Sequence, residues 1–267
     1  LSLVEALILG LLQGATEFLP VSSSGHLVLA QALMKIKSAG VGFEVLVHIA
    51  TLLAVVICLR KDVAGLVAGF FTALRHSFMP HNGGRSEGER MAIAVIVGTA
   101  PAVAASLLLG SRLEEAFGRP DWTGGFLLVT GITLLLTRLS REGGRPLSPG
   151  IALLIGVAQA AALFPGISRS GFTIAAAIFL GVPRDKAVRF SFLLAIPAIG
   201  GGFLYNLVSN PGEVLEFAAL PSAAAFIAAF ASGCVAVLLL LRAVRRGRFE
   251  LFGIYCLVAG AVALAVF

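Results

Sequence analysis

Polar residues are scarce along this chain, and where they fall divides it. Six apolar stretches, roughly 41–59, 91–110, 122–139, 190–208, 219–241 and 249–267, have the length of membrane spans, since a helix crosses the hydrocarbon core in about 20 residues. Two further apolar regions, roughly 1–36 and 149–182, are each interrupted by a Pro/Ser/Gly loop. Their arms are too short to cross separately, so each is expected to enter the membrane and return by the same face. The stretch 62–78 carries Val63, Leu66, Val67, Phe70 and Phe71 at helical spacing and predicts a short amphipathic surface helix.

The two interruptions are copies of one segment. The first reads Gln13-GATEFLPVSSSGHL-Val28 and the second Gln159-AAALFPGISRSGFT-Ile174. Ser22, Ser24 and Gly25 align with Ser168, Ser170 and Gly171, and Ser23 aligns with Arg169. Helix-breaking polar loops at matching places in two apolar halves mark a binding site near the membrane midplane.

Loop charges set a topology. The loops after the first, third and fifth spans and before the fourth hold 15 of the 20 Lys and Arg, which places them inside. The loops with Glu213 and Glu216, and with Glu114, Glu115 and Asp121, then lie outside, and Lys35 and Lys37 are a mild violation. The second split region enters from the inside and the first from the outside. The expected fold is therefore all-α: one polytopic membrane domain, 1–267, of six transmembrane helices and two re-entrant broken hairpins. Its halves, about 1–140 and 149–267, form an inverted-topology repeat. The tips, Pro20–His26 and Pro165–Thr173, should meet in one polar pocket, because lipid satisfies no backbone N–H or C=O.

Composition narrows the class. Hydrophobic residues make up 58% and charged residues 13%, against about a quarter charged in soluble domains. The net charge of +6 sits in short clusters between apolar segments, so it reads as topology and not as a nucleic-acid surface. Cys58, Cys234 and Cys256 lie in apolar runs without pairing or metal spacing and read as small packing residues. The chain starts at Leu1, and no cleavable signal peptide is evident.

The tips pool Gln13, Glu17, Ser22, Ser23, Ser24, His26, Ser168, Arg169, Ser170 and Thr173. A guanidinium at membrane depth needs an anion, and its planar fork suits phosphate. The helix expected to start near Phe172 adds N–H groups to such a site. The competing reading ties Arg169 to Glu17 structurally. Glu17 and Gln13 share a helix face and suit a hard cation such as Mg²⁺ or Ca²⁺, phosphate oxygens completing the shell. His26 is a candidate general base, acid or nucleophile, or else donates to a backbone carbonyl of the hairpin. Ser22 and Ser24 line a phosphate or cap the following helix. Glu44 and His48, one turn apart near the outer end of the first span, are further candidates, since ionisable groups inside a membrane tend to be functional.

These motifs resemble the undecaprenyl-diphosphate phosphatase family, the bacitracin-resistance type of integral-membrane enzyme. The family patterns E/Q-x-x-x-E-F-L-P-[IV]-S-S-[ST]-G-H and P-G-x-S-R-S-x-x-T are matched by Gln13-GATEFLPVSSSGH and PGISRSGFT. Phe43-Glu44-Val45 and Phe190-SFLLAIP-Ala198 also resemble it, as do length and hydrophobic layout across the chain. One departure is Gln13, where many members carry Glu. It leaves Glu17 as the one carboxylate of the motif and puts a two-carboxylate metal site in doubt. The resemblance implies hydrolysis of undecaprenyl diphosphate to the monophosphate and phosphate, recycling the lipid carrier of cell-wall synthesis. It implies dependence on a divalent cation and a multi-pass enzyme of the bacterial inner membrane whose site opens to the outer side. Glu17, Ser23, His26 and Arg169 would be central, with Ser168, Ser170 and Thr173 lining the phosphate site. A polyprenyl diphosphate is the expected partner, with a homodimer as one form of assembly. Ser23 as nucleophile with His26 as base, and His26 attacking directly, are both open. So is the reading of the repeat as a transporter or flippase of an anionic lipid.

Overall fold

The computed structural model describes residues 1–36, 39–78, 84–209, 211–212, 219–245 and 247–267. Among them the chain is all-helical: α1 (Leu3–Glu17), α2 (Ser23–Leu33), α3 (Val41–Cys58), α4 (Arg60–Phe78), α5 (Glu87–Phe117), α6 (Pro120–Leu136, with a 3₁₀ turn Thr137–Leu139), α7 (Pro149–Ala161), α8 (Arg169–Phe179), α9 (Arg184–Ser209), α10 (Ala219–Arg245) and α11 (Glu250–Val266). Helices α3, α5, α6, α9 and α10 are long and apolar enough to cross a membrane, which makes this a multi-pass membrane protein. The sixth expected span is α11, shorter at 17 residues, packed along α6.

Hydropathy located the helices but cut several short. The expected outer loop 111–121 is mostly the last turns of α5, and the break before α6 is only Gly118 and Arg119. Likewise Arg184, Lys186 and Arg189 form the first turns of α9. Charged residues end an apolar window without ending a helix, since Arg, Lys and Glu are good helix formers. Local capping sets the ends instead. Ser2 and Glu5 form a reciprocal capping box at α1, and Ser86 and Ser148 cap α5 and α7, each satisfying an orphan N–H. The loop with Glu213 and Glu216, and Lys37, lie outside the described residues.

Helix pairing follows the repeat. The first arm of each hairpin packs on a long helix of the opposite half: α1 on α10, and α7 on α5. Small residues allow both approaches. A Cβ on Gly10 would lie 2.5 Å from the Ala225 carbonyl oxygen, and one on Gly156 would strike that of Gly98. The α6–α11 pair is joined in the same way through Gly131 against Gly253 and Gly260 against Gly124. Without a hydrophobic force between helices in lipid, such close backbone contact is a main source of association. The amphipathic α4 turns Val63 and Leu66 to the core and leaves Phe70 and Phe71 exposed.

Candidate active site

Each hairpin bends where its motif loses helix propensity. In the first, Pro20 follows α1, and Ser22 takes φ 68° before α2 begins at Ser23. Positive φ is costly for serine, and three contacts hold it. The Ser22 hydroxyl accepts from Gly25 N at 3.2 Å and from Gly166 N of the other hairpin at 3.0 Å. Its carbonyl accepts from His26 N at 3.1 Å. In the second hairpin the matching cap is Ser168, which accepts from Gly171 N at 3.1 Å. Gly166 has φ 101°, and a Cβ there would lie 2.5 Å from the Thr123 carbonyl oxygen, so glycine is required.

The tips therefore touch, as the repeat predicts. The Ser170 hydroxyl donates to Leu19 O at 3.1 Å. Thr130 of α6 donates to Gly166 O at 2.8 Å and accepts from Ser168 N at 3.1 Å, so this one buried Thr satisfies two groups of a break that lipid could not.

The two aligned first helical residues, Ser23 and Arg169, converge on one carboxylate. The Ser23 hydroxyl donates to Glu17 Oε2 at 2.5 Å, and Arg169 Nη2 pairs with Glu17 Oε1. Gln13 Nε2 donates to Oε2 at 3.0 Å. Arg169 Nη1 is buried and has no partner, as is Gln13 Oε1. Orphaned buried polar atoms are rare and expensive. Glu17, Ser22, Ser23, Ser24, Ser168 and Arg169 all border a cavity of about 930 Å³.

Three expected residues stand elsewhere. His26 does not meet Ser23: its Nδ1 lies 2.8 Å from Ser22 O and its Nε2 2.7 Å from the Tyr255 hydroxyl, with the two rings stacked. Both nitrogens are occupied away from the carboxylate, so closeness in sequence misled. The Ser170 and Thr173 hydroxyls are buried and engaged, Thr173 with Arg169 O at 2.8 Å and Ser191 Oγ at 2.7 Å. They brace the tip and do not border the cavity.

His48 is brought in from α3, with Nε2 3.8 Å from Glu17 Oε2, and Glu44 and Glu114 border the same cavity further out. Tyr255, Thr130 and Ser191 were missed by sequence reasoning. A hydroxyl at an otherwise apolar helix position was the one available signal for each.

The donor set can be tested against a divalent cation. Among the described residues no three His, Cys, Asp or Glu side chains cluster to hold a metal. Glu17 and the free Gln13 oxygen fit one that also takes phosphate oxygens, which is how Mg²⁺ is usually held.

The chain is 40% identical to an undecaprenyl-diphosphatase of Korarchaeum cryptofilum over all of both chains. It is 40% identical to one of Salinibacter ruber over 97% of each, and 41% identical to one of Desulfosudis oleivorans over 98% of this chain and 97% of the relative. The family model for bacitracin resistance protein BacA matches residues 6–262. With the match covering nearly the whole chain and both motifs folded into one site, the chain belongs to the bacitracin resistance protein BacA family.

Proposed function

We propose that this enzyme hydrolyses undecaprenyl diphosphate to undecaprenyl phosphate and inorganic phosphate at the Ser23–Glu17–Arg169 site. The relatives' names give the reaction class. The observation that carries the site assignment is a guanidinium with one nitrogen on Glu17 and the other buried without a partner. A terminal phosphate satisfies that nitrogen and is held by a donor built for its oxygens.

The chemistry then follows from what touches what. Ser23 Oγ attacks the terminal phosphorus while its proton passes to Glu17 Oε2, which already accepts it. The bond from that phosphorus to the bridging oxygen breaks, and undecaprenyl phosphate leaves. Water then cleaves the phosphoserine, releasing phosphate and restoring the hydroxyl. Arg169 stabilises the charge that builds on the transferring phosphoryl oxygens. The α8 N-terminus, aimed at the same place, favours the anion. His26 becomes a brace between the first hairpin and α11. A divalent cation, Mg²⁺ or Ca²⁺ in the simplest case, would be held by Glu17 and Gln13 and would neutralise phosphate charge.

The cavity supports an outer-side entrance in an inner membrane. It borders Glu44 and His48 of α3, Glu114 and Phe117 of α5, and Phe203 and Asn206 of α9. These are the ends of α3 and α9 remote from Arg60 and Arg184, the basic ends that topology places inside. The inverted repeat accounts for the exchanged pairing of α1 with α10 and α7 with α5.

Purified protein should release phosphate from undecaprenyl diphosphate, and a chelator should suppress it. Absence of release with and without added Mg²⁺ or Ca²⁺ refutes the reaction. Full release in chelator refutes the cation alone.

A further inference from the structure

His48 has a fixed tautomer and faces the site. Its Nδ1 lies 2.7 Å from the Glu44 carbonyl oxygen. A carbonyl only accepts, so Nδ1 carries a proton, and Nε2 is the nitrogen left to face the site. That nitrogen is 3.8 Å from Glu17 Oε2. Ser23 and Gln13 both donate to this oxygen, whereas His48 Nε2 lies beyond hydrogen-bond distance of it. A third acceptor sits beside the pair. Gln13 is wholly buried, its amide N–H₂ faces the carboxylate, and its Oε1 has no partner. The carboxylate fixes that orientation, since a flipped amide would set oxygen against oxygen. An imidazole and a carboxylate thus border the cavity side by side, and the unpartnered amide oxygen belongs to the buried side chain that donates to that carboxylate.

We propose that His48 is a ligand of the divalent cation, together with Glu17 and Gln13. The sequence motifs assign it no such role. Phosphate oxygens of the bound substrate complete the shell. The consequence is selectivity. Imidazole is a softer donor than water or carboxylate, so it favours Mn²⁺, Co²⁺ or Zn²⁺ over Ca²⁺. An imidazolium simply paired with Glu17 is the competing arrangement, and it leaves no nitrogen to coordinate.

This inference rests on the cation expectation and not on the reaction, so the test reads the metal itself. Purified protein is loaded with Mn²⁺ alone and examined by pulsed electron paramagnetic resonance for ¹⁴N coupling. One imidazole coupling is expected in the parent and in His26→Gln, and none in His48→Gln. Mn²⁺ affinity should fall at least ~10-fold in His48→Gln, the scale on which even outer-shell partners of a metal act, and Ca²⁺ affinity should fall less. No imidazole coupling in the parent overturns the proposal, whatever the variants do. Coupling that survives in His48→Gln but vanishes in His26→Gln overturns it in favour of the other histidine. Phosphate release from undecaprenyl diphosphate, measured on the same samples, separates the two readings. Release without coupling leaves the reaction standing and removes His48 from the shell; coupling without release does the reverse.

Discussion

Replacing Arg169 separates its structural role from its chemical one. Its Nη2 pairs with Glu17, Nη1 is buried without a partner, and the two side chains are 17% and 5% exposed. Arg169→Ala leaves a buried carboxylate uncompensated, which costs about 3–5 kcal/mol of stability. Arg169→Lys keeps the charge and should lose only about 1 kcal/mol, the size of one net hydrogen bond. Its single ammonium cannot serve Glu17 and a phosphoryl oxygen in one plane as the fork does. Losing one preorganised donor to the transition state costs about 2.7–4 kcal/mol, or 10²–10³ in kcat. The two variants should therefore diverge in thermal unfolding and fail alike in phosphate release. Most of the loss should fall on kcat, because the contact matters most as charge develops. A Lys variant within about tenfold of the parent, under 1.4 kcal/mol of lost stabilisation, would refute the fork. A Lys variant that unfolds as easily as the Ala variant would show the tie to Glu17 to be the main role.

The other predictions concern the hairpins and the nucleophile. Gly166→Ala combines φ 101° with a Cβ 2.5 Å from Thr123 O. It should cost about 2–5 kcal/mol from strain and overpacking together, read as a large fall in melting temperature in detergent. Cys placed at Glu114 should react with an impermeant thiol reagent from outside in intact cells and Cys at Arg141 should not; both reacting from one side would refute the inverted arrangement. Acid quench of a turnover should trap phosphate on Ser23, and the adduct should persist in His26→Gln. An acid-labile, alkali-stable adduct that vanishes in that variant would make His26 the nucleophile.

The hydrophobic pattern sufficed for the helices and for both broken hairpins because lipid leaves the backbone few alternatives. It misplaced helix ends, as at Arg184 and Glu114, where the helix runs on past the apolar window. Gln13, Glu17, Ser23 and Arg169 were legible because polar groups are rare in such segments and the repeat aligned Gln13 with Gln159 and Ser23 with Arg169. Their partners were not. The Ser23 hydroxyl donates to Glu17 while His26 meets Tyr255 of α11, and α11 carries no motif. His48 was visible as an intramembrane ionisable group, but only tertiary packing of α3 against the first hairpin brings it to Glu17. Ser170 and Thr173 look like phosphate ligands in sequence. In the fold, satisfying backbone carbonyls and the hydroxyls of Ser168 and Ser191 took precedence.

The repeat also explains why one enzyme site, and not two, is built. The hairpins supply equivalent caps, Ser22 and Ser168, and equivalent first residues, Ser23 and Arg169. Had both copies carried Ser, the phosphate would meet hydroxyls and no fixed positive charge. Had both carried Arg, there would be a clamp and no nucleophile. The carboxylate shows the same break in symmetry. Gln13 and Glu17 align with Gln159 and Leu163, and Leu163 borders the cavity. A second Glu there would set like charges beside a diphosphate and beside each other, which disfavours both ionised forms. One Glu suffices for two duties, holding Arg169 through Oε1 and Ser23 through Oε2. The two hairpins bring the N-termini of α2 and α8 to one cavity. Two of the positions where the copies differ, Ser23 against Arg169 and Glu17 against Leu163, thus supply the three groups that meet at one carboxylate.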